Sequence, residues 1–195
     1  MDEISIESEK RTKFFEKIGP DIAERIGIAL SELAGHKICV LFIDVQTYKE
    51  ISAVIDVNEE CFGSYVTISN VEKGLKGTAF LFFSLHFTSY LIEIILKQHF
   101  TTDNDIPAKL KLSTFKEINS ILLIRYVNEL ANALGIRLDT SVPVFTSFKS
   151  MKFTKQPEWV DMKTTSLITV MQLDISLQSE RSSQKKVRGH FVVIF

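Results

Sequence analysis

The chain has 195 residues, 45% hydrophobic and 24% charged, with a formal net charge of −1. That is enough for one domain with a full core or for two intertwined repeats. The near-neutral charge gives no reason to expect a nucleic acid or an anionic membrane as partner. Cys39 and Cys61 fit no metal or redox spacing. Cys39 lies in an apolar run and reads as a small buried hydrophobe. The acidic, polar start MDEISIESEK is not a secretory signal. With so few cysteines, a reducing cytoplasm is the expected location.

In chain order, residues 1–10 read as a disordered or loosely packed arm. Between 11 and 34, Phe15, Ile18, Ile22, Ile26, Leu30 and Leu33 recur at helical spacing. Gly19-Pro20 interrupts them. Proline lacks the backbone donor and clashes with the preceding turn, so the helix is predicted to start at Pro20 or to kink there. Gly35 suits the position just past a helix end. Residues 36–45 form an apolar strand, and 61–69 and 75–84 two more, separated by a polar turn. Residues 79–96 approach the length of a membrane span, but they hold His86 and Glu93. They read as a buried strand running into a packed helix over 85–100. Residues 101–108 are a linker. A helix follows over about 110–134, stopped by Gly135, then strands at 136–145, 166–176 and 187–195.

The order of elements repeats. Gly35 and Gly135 match at an offset of 100, and KGTAFLFF around Gly77 matches RGHFVVIF around Gly189 at an offset of 112. The polar loops FTKQPEWVDMK and SERSSQKK absorb the difference. The expected fold is therefore α+β, a pseudo-two-fold duplication of a helix–strand–strand–strand unit. It has about six strands in a largely antiparallel sheet, with long helices packed on it. One domain spans residues 1–195, with repeats at about 11–100 and 109–195.

The second long helix carries the candidate site, within STFKEINSILLIRYVNELANALGIRLDTSVP at 113–143. At about 100° per residue, Ser113, Glu117 and Ser120 cluster within roughly 60°. Leu112, Phe115, Leu122, Leu123, Tyr126, Val127, Leu130 and Leu134 fill the opposite arc, predicted to face the sheet. A solvated helix face is the plain explanation of the polar stripe. A surface kept for a partner is the other.

The helix and the strand after it resemble the CheC/CheX family of chemotaxis phosphatases, which share their fold with the middle domain of the flagellar switch protein FliM. The family pattern is Asp or Ser, Glu four positions on, Asn three further and Pro 23 beyond; here those places hold Ser113, Glu117, Ser120 and Pro143. Three match and Ser120 departs. The resemblance runs over about residues 11–195. At the equivalent places of the first half stand Lys13, Lys17, Pro20 and Ile43, none of them a family residue, so that half is expected to be catalytically empty.

The resemblance implies a substrate, the aspartyl phosphate of a CheY-like receiver. Glu117 would pair with the receiver's lysine, and the Asn position would orient a water for in-line attack. The protein needs no cofactor of its own, since the receiver supplies the Mg. A Ser hydroxyl is shorter than an Asn amide and rotates freely. Asn119 is the substitute for Ser120, but it lies about 100° away, on the apolar arc. There a buried, hydrogen-bonded Asn is the competing role. Pro143 stiffens the strand beside the helix or merely punctuates a strand edge. Further partners implied are a CheD-like protein or a second copy in a homodimer; the rival readings are a non-catalytic binding module and a FliM-like structural protein. The four histidines show no metal spacing, no phosphate-cradling loop occurs, and Trp159 is a loop residue that packs on its own domain or anchors a partner.

Overall fold

The structure is a computed structural model describing residues 3–35, 37–48, 61–97, 106–148, 168–177 and 186–194. Its elements are α1 (Glu3–Ala34), β1 (Ile38–Tyr48), β2 (Cys61–Asn70), β3 (Leu75–Ser84), α2 (Leu85–Lys97), α3 (Ala108–Leu134), β4 (Asp139–Thr140), β5 (Val144–Phe148), β6 (Ile168–Leu177) and β7 (Lys186–Ile194). Trp159 and most of the two polar loops lie outside the described residues.

Among the described residues the strands form one seven-stranded antiparallel sheet, ordered β1-β6-β7-β3-β2, with β4 and β5 both on the far edge of β2. The order is symmetric about the β7–β3 pair. β6 and β2 flank that pair, and β1 and β4/β5 lie outermost. Side chains alternate along a strand, and β3 is apolar on both faces. Ala79, Leu81 and Phe83 join the core shared with α1 and α3. Phe80 and Phe82 point to the other face, where Tyr65 meets Phe80 at 5.7 Å between ring centroids.

The two long helices lie together on one face, α1 against β1 and β6, and α3 against β2 and β3. Phe15, Ile22, Ile26 and Leu30 of α1, and Phe115, Leu122, Tyr126 and Leu130 of α3, meet Val66, Ile68, Met171 and Ile175 of the sheet. Glu129 of α3 ties the helices, at 3.1 Å from Arg25 Nε and 4.0 Å from Arg125 Nε. Gly19 lets α1 settle on β1, because a Cβ there would collide with the Phe42 ring. Both long helices end on a left-handed glycine, Gly35 at φ 62° and Gly135 at φ 64°, a backbone state that costs glycine little.

Four expectations are corrected. The arm is helical from Glu3: its Glu and Lys residues are good helix formers, and Glu9 and Lys13 pair at 2.7 Å across one turn. The helix does not start at Pro20, which sits inside it with its ring exposed. Cys39 is half-buried rather than buried, since β1 is the outermost strand. The strand expected over 136–145 is divided into β4 and β5. No helix of the described residues is long and apolar enough to cross a membrane.

Candidate functional site

α3 is held at both ends. Near its start the Phe115 ring packs against Phe62, Phe83 and Phe145, at 6.4, 6.2 and 5.8 Å between centroids. At its end Gly135 N donates to Asn132 O and Ile136 N to Ala131 O, both at 3.1 Å, the paired bonds of a Schellman stop. Asn70, at the end of β2, donates to Arg137 O at 2.7 Å and accepts from Lys73 N at 2.7 Å. α3 thus runs along β2, from Phe62 at one end to Asn70 at the other.

This seat fixes which side of α3 faces out. Phe115, Leu122, Leu123, Tyr126, Val127 and Leu130 are buried as expected. Burial pushes the Tyr126 phenol above its ordinary pKa. Leu112 is exposed instead, and Leu134 is half-buried. Leu112 precedes the ring contacts and lines a cleft of about 430 Å³ against α2, with Leu85, Thr88 and Ile92. Ser113 and Glu117 are exposed and Ser120 is half-buried. The Ser113 hydroxyl donates back to Leu110 O at 3.0 Å. Glu117 has no ion pair or hydrogen bond among the described residues, while its neighbour Lys116 lies 5.1 Å over the Phe145 ring.

Pro143 reaches this face through a break in the edge strand. Ile68 faces Thr140 and Tyr65 faces Val144, so two residues of β2 stand opposite three, Ser141, Val142 and Pro143. Proline has no N–H to give the ladder, and the extra residue makes a bulge. Ser141 bridges the break: its N–H donates to Thr67 O at 3.0 Å and its hydroxyl accepts from Thr67 N at 3.1 Å. Pro143 then shares an open, shallow depression of about 410 Å³ with Ser120, Ile121, Ile124, Arg125 and Asn128.

Asn119 is elsewhere. It is fully buried, and neither end of its amide has a partner among the described residues. The expected burial is observed, while the expected hydrogen bonds are not. Ser64 of β2 is also fully buried with an unpartnered hydroxyl. The two sit at one level: Asn119 is one turn, about 6 Å, past Phe115, and Ser64 is one inward step, about 7 Å, past Phe62. The structure therefore brings Ser113, Glu117, Ser120 and Pro143 to one outward face and leaves Asn119 behind it.

Sequence reasoning missed the apolar rim of this face. Ile121 is 38% exposed on α3, and Val142 (82%) and Val144 are exposed on the edge-strand segment. The signal was present: on the helical wheel Ile121 lies about 40° and Ile124 about 20° from Glu117. Among the described residues no group of three or more His, Cys, Asp or Glu is placed to hold a metal ion.

The sequence matches no protein-family model and no curated protein. Solved structures do match. FliY of Thermotoga maritima is 16% identical with a TM-score of 0.71, over 94% of this chain and 89% of that one. The FliM middle domain of H. pylori is 14% identical with a TM-score of 0.59, over 96% and 92%. The chemotaxis protein CheX of Desulfovibrio desulfuricans is 11% identical with a TM-score of 0.52, over 89% and 97%. With helices packed on an antiparallel sheet and these likenesses along nearly its whole length, the chain has the fold shared by CheC-like proteins and the FliM middle domain.

Proposed function

We propose that this chain is a cytoplasmic CheC-like signalling protein that binds a phosphorylated CheY-like response regulator on the outward face of α3. One observation carries the reading: an exposed Glu117 with no ion pair or hydrogen bond among the described residues stands in a stripe with Ser113 and Ser120, and Ser120 shares a depression with Pro143. Glu117 takes the receiver's lysine, Ser113 borders the contact, and Pro143 stiffens the strand beside it. The same reading treats residues 1–195 as one domain made of two halves, in keeping with the strand order about the β7–β3 pair.

Ser120 occupies the place of the water-orienting amide. Its hydroxyl reaches less far and has no fixed direction, and a misplacement of about 1 Å costs on the order of 100-fold in rate. Burial of Asn119 removes the nearest replacement. The proposed activity is therefore receiver binding with slow hydrolysis of the aspartyl phosphate, the receiver supplying the Mg.

The test is the phosphoryl lifetime of a CheY-like receiver with and without this protein. Wild type shortens it weakly, Ser120→Asn shortens it further, and Glu117→Ala removes the acceleration. If Ser120→Asn binds the receiver but leaves the lifetime unchanged, position 120 does not orient the water. If wild type neither binds the receiver nor alters its lifetime, the reading is wrong.

A further inference from the structure

Where α1 meets α3, two cations share one anion. Arg25 of α1 and Arg125 of α3 both approach the carboxylate of Glu129. Glu129 gives its short contact to Arg25, at 3.1 Å, and stands 4.0 Å from Arg125 Nε, beyond hydrogen-bond reach. This group of three therefore keeps one positive charge, and the Arg125 side chain is 42% exposed. Arg125 lines the depression of about 410 Å³ with Ser120, Ile121, Ile124, Asn128 and Pro143. The guanidinium, the Asn128 amide and the Ser120 hydroxyl can all donate hydrogen bonds. Their apolar neighbours make the surroundings less polar once a partner covers the depression, and a charge contact is stronger there than in open water.

We infer that this depression takes an acidic side chain of the bound protein, and that Arg125 is the residue that pairs with it. The inference rests on the receiver reading and adds a second charge contact, opposite in sign to that of Glu117. Spacing separates this anion from the phosphoryl group. Arg125 lies five residues past Ser120, about 7.5 Å along the helix axis, and eight past Glu117, about 12 Å. On the receiver reading the attacked group lies by Ser120, so the acid that Arg125 takes is a carboxylate further along α3. The lining argues against a polyanion. A nucleic-acid backbone or an anionic lipid surface is held by several cations, and among the described residues this lining holds one. One arginine beside two isoleucines and a proline suits a single carboxylate with an apolar neighbour. Glu117 and Arg125 then set a negative-to-positive direction along α3, and the partner must offer a cation and an anion in that order. Charges so arranged fix orientation and exclude wrong partners.

The test measures the affinity of a CheY-like receiver, with and without beryllofluoride, by calorimetry and, for the weaker form, by NMR titration. Arg125→Ala weakens both forms about tenfold, as loss of a contact arginine does. Arg125→Glu weakens both about tenfold more, because like charges then meet. Lys13→Ala, which removes one positive charge from α1, changes nothing. Raising the salt to about 0.5 M shrinks the losses at Arg125, since charge pairs are screened; a loss through misfolding would not shrink. Circular dichroism melts check that each variant is folded, and Arg125→Gln, which keeps most of the stem, replaces Arg125→Ala if that variant is not. If wild type binds and the Arg125 variants bind equally well, the inference is overturned while the receiver reading stands. If only the beryllofluoride form loses affinity, Arg125 meets the phosphoryl group and the inference is overturned. If wild type does not bind, the receiver reading fails and the inference with it.

Discussion

α1 and α3 rest side by side on the same sheet face, yet they treat water differently. Beyond its buried stripe α1 exposes Lys13, Glu16, Lys17, Asp21, Glu24, Arg25 and Glu32, with Ile28 as its apolar exception. α3 exposes Ser113, Glu117, Ile121 and Asn128 along its outward line, with Ile124 half-buried among them. Both helices bury enough apolar surface to hold the sheet, so stability does not explain the difference. A helix whose outer face is charged needs only solvent. α3 instead sets Glu117, which has no ion pair or hydrogen bond among the described residues, in line with Ile121 and Ile124, and the proposed receiver contact accounts for that face.

Substitutions can break or sharpen that contrast. The largest effect is expected where the helices are alike. Phe115→Ala and Phe15→Ala, at the buried seats of α3 and α1, should each cost about 3–5 kcal/mol in urea unfolding. A value near zero for Phe115 would mean that the ring cluster does not seat α3. Next comes the acid. Glu117→Ala should weaken receiver binding about 100-fold, as loss of a contact-centre charge does, and change stability by less than about 0.5 kcal/mol. Glu24→Ala on α1 should leave both untouched; equal binding losses would erase the contrast. Asn119→Leu should stabilise the fold by about 1–2 kcal/mol by removing a buried amide with no partner among the described residues. Destabilisation of that size would show that the amide is satisfied, for instance by water. The smallest effect is in pH. The folded-state pKa of Tyr126 is raised by burial, so its contribution is fully present below the ordinary phenol value of about 10 and is lost as pH rises above it. Stability should fall by about 1 kcal/mol more in wild type than in Tyr126→Phe between pH 9 and 11. Equal slopes would mean that Tyr126 titrates normally.

Much of this was readable in advance, for physical reasons. β3 was bounded correctly because its apolar run is closed by the SNVEKG turn and by the switch to helical periodicity at Leu85. Gly35 and Gly135 marked two helix ends because a left-handed stop favours glycine. The first turns of α1 were missed because apolar spacing, not helix propensity, was the criterion there. The interior Pro20 was read as a start or a kink, yet packing on both sides of it carries the helix through. Pro143 was placed in a strand, but a missing donor and one surplus residue turn that strand into two. At the site the polar stripe was legible from periodicity. The apolar part of that face was not, because Ile121 and Ile124 were left out of the wheel and Pro143 reaches them from another element. Leu112 faces out because α3 begins ahead of the ring cluster, a tertiary fact without a local signal.

The most direct test is to follow the backbone amides of the isotope-labelled chain by NMR while adding a CheY-like receiver loaded with beryllofluoride. The account predicts that shifts concentrate at Ser113, Glu117, Ser120, Ile121 and Ile124 and on the loop of Val142, with the outward residues of α1 unmoved. Shifts centred on α1 or on the β1 edge, with the face of α3 undisturbed, would contradict it.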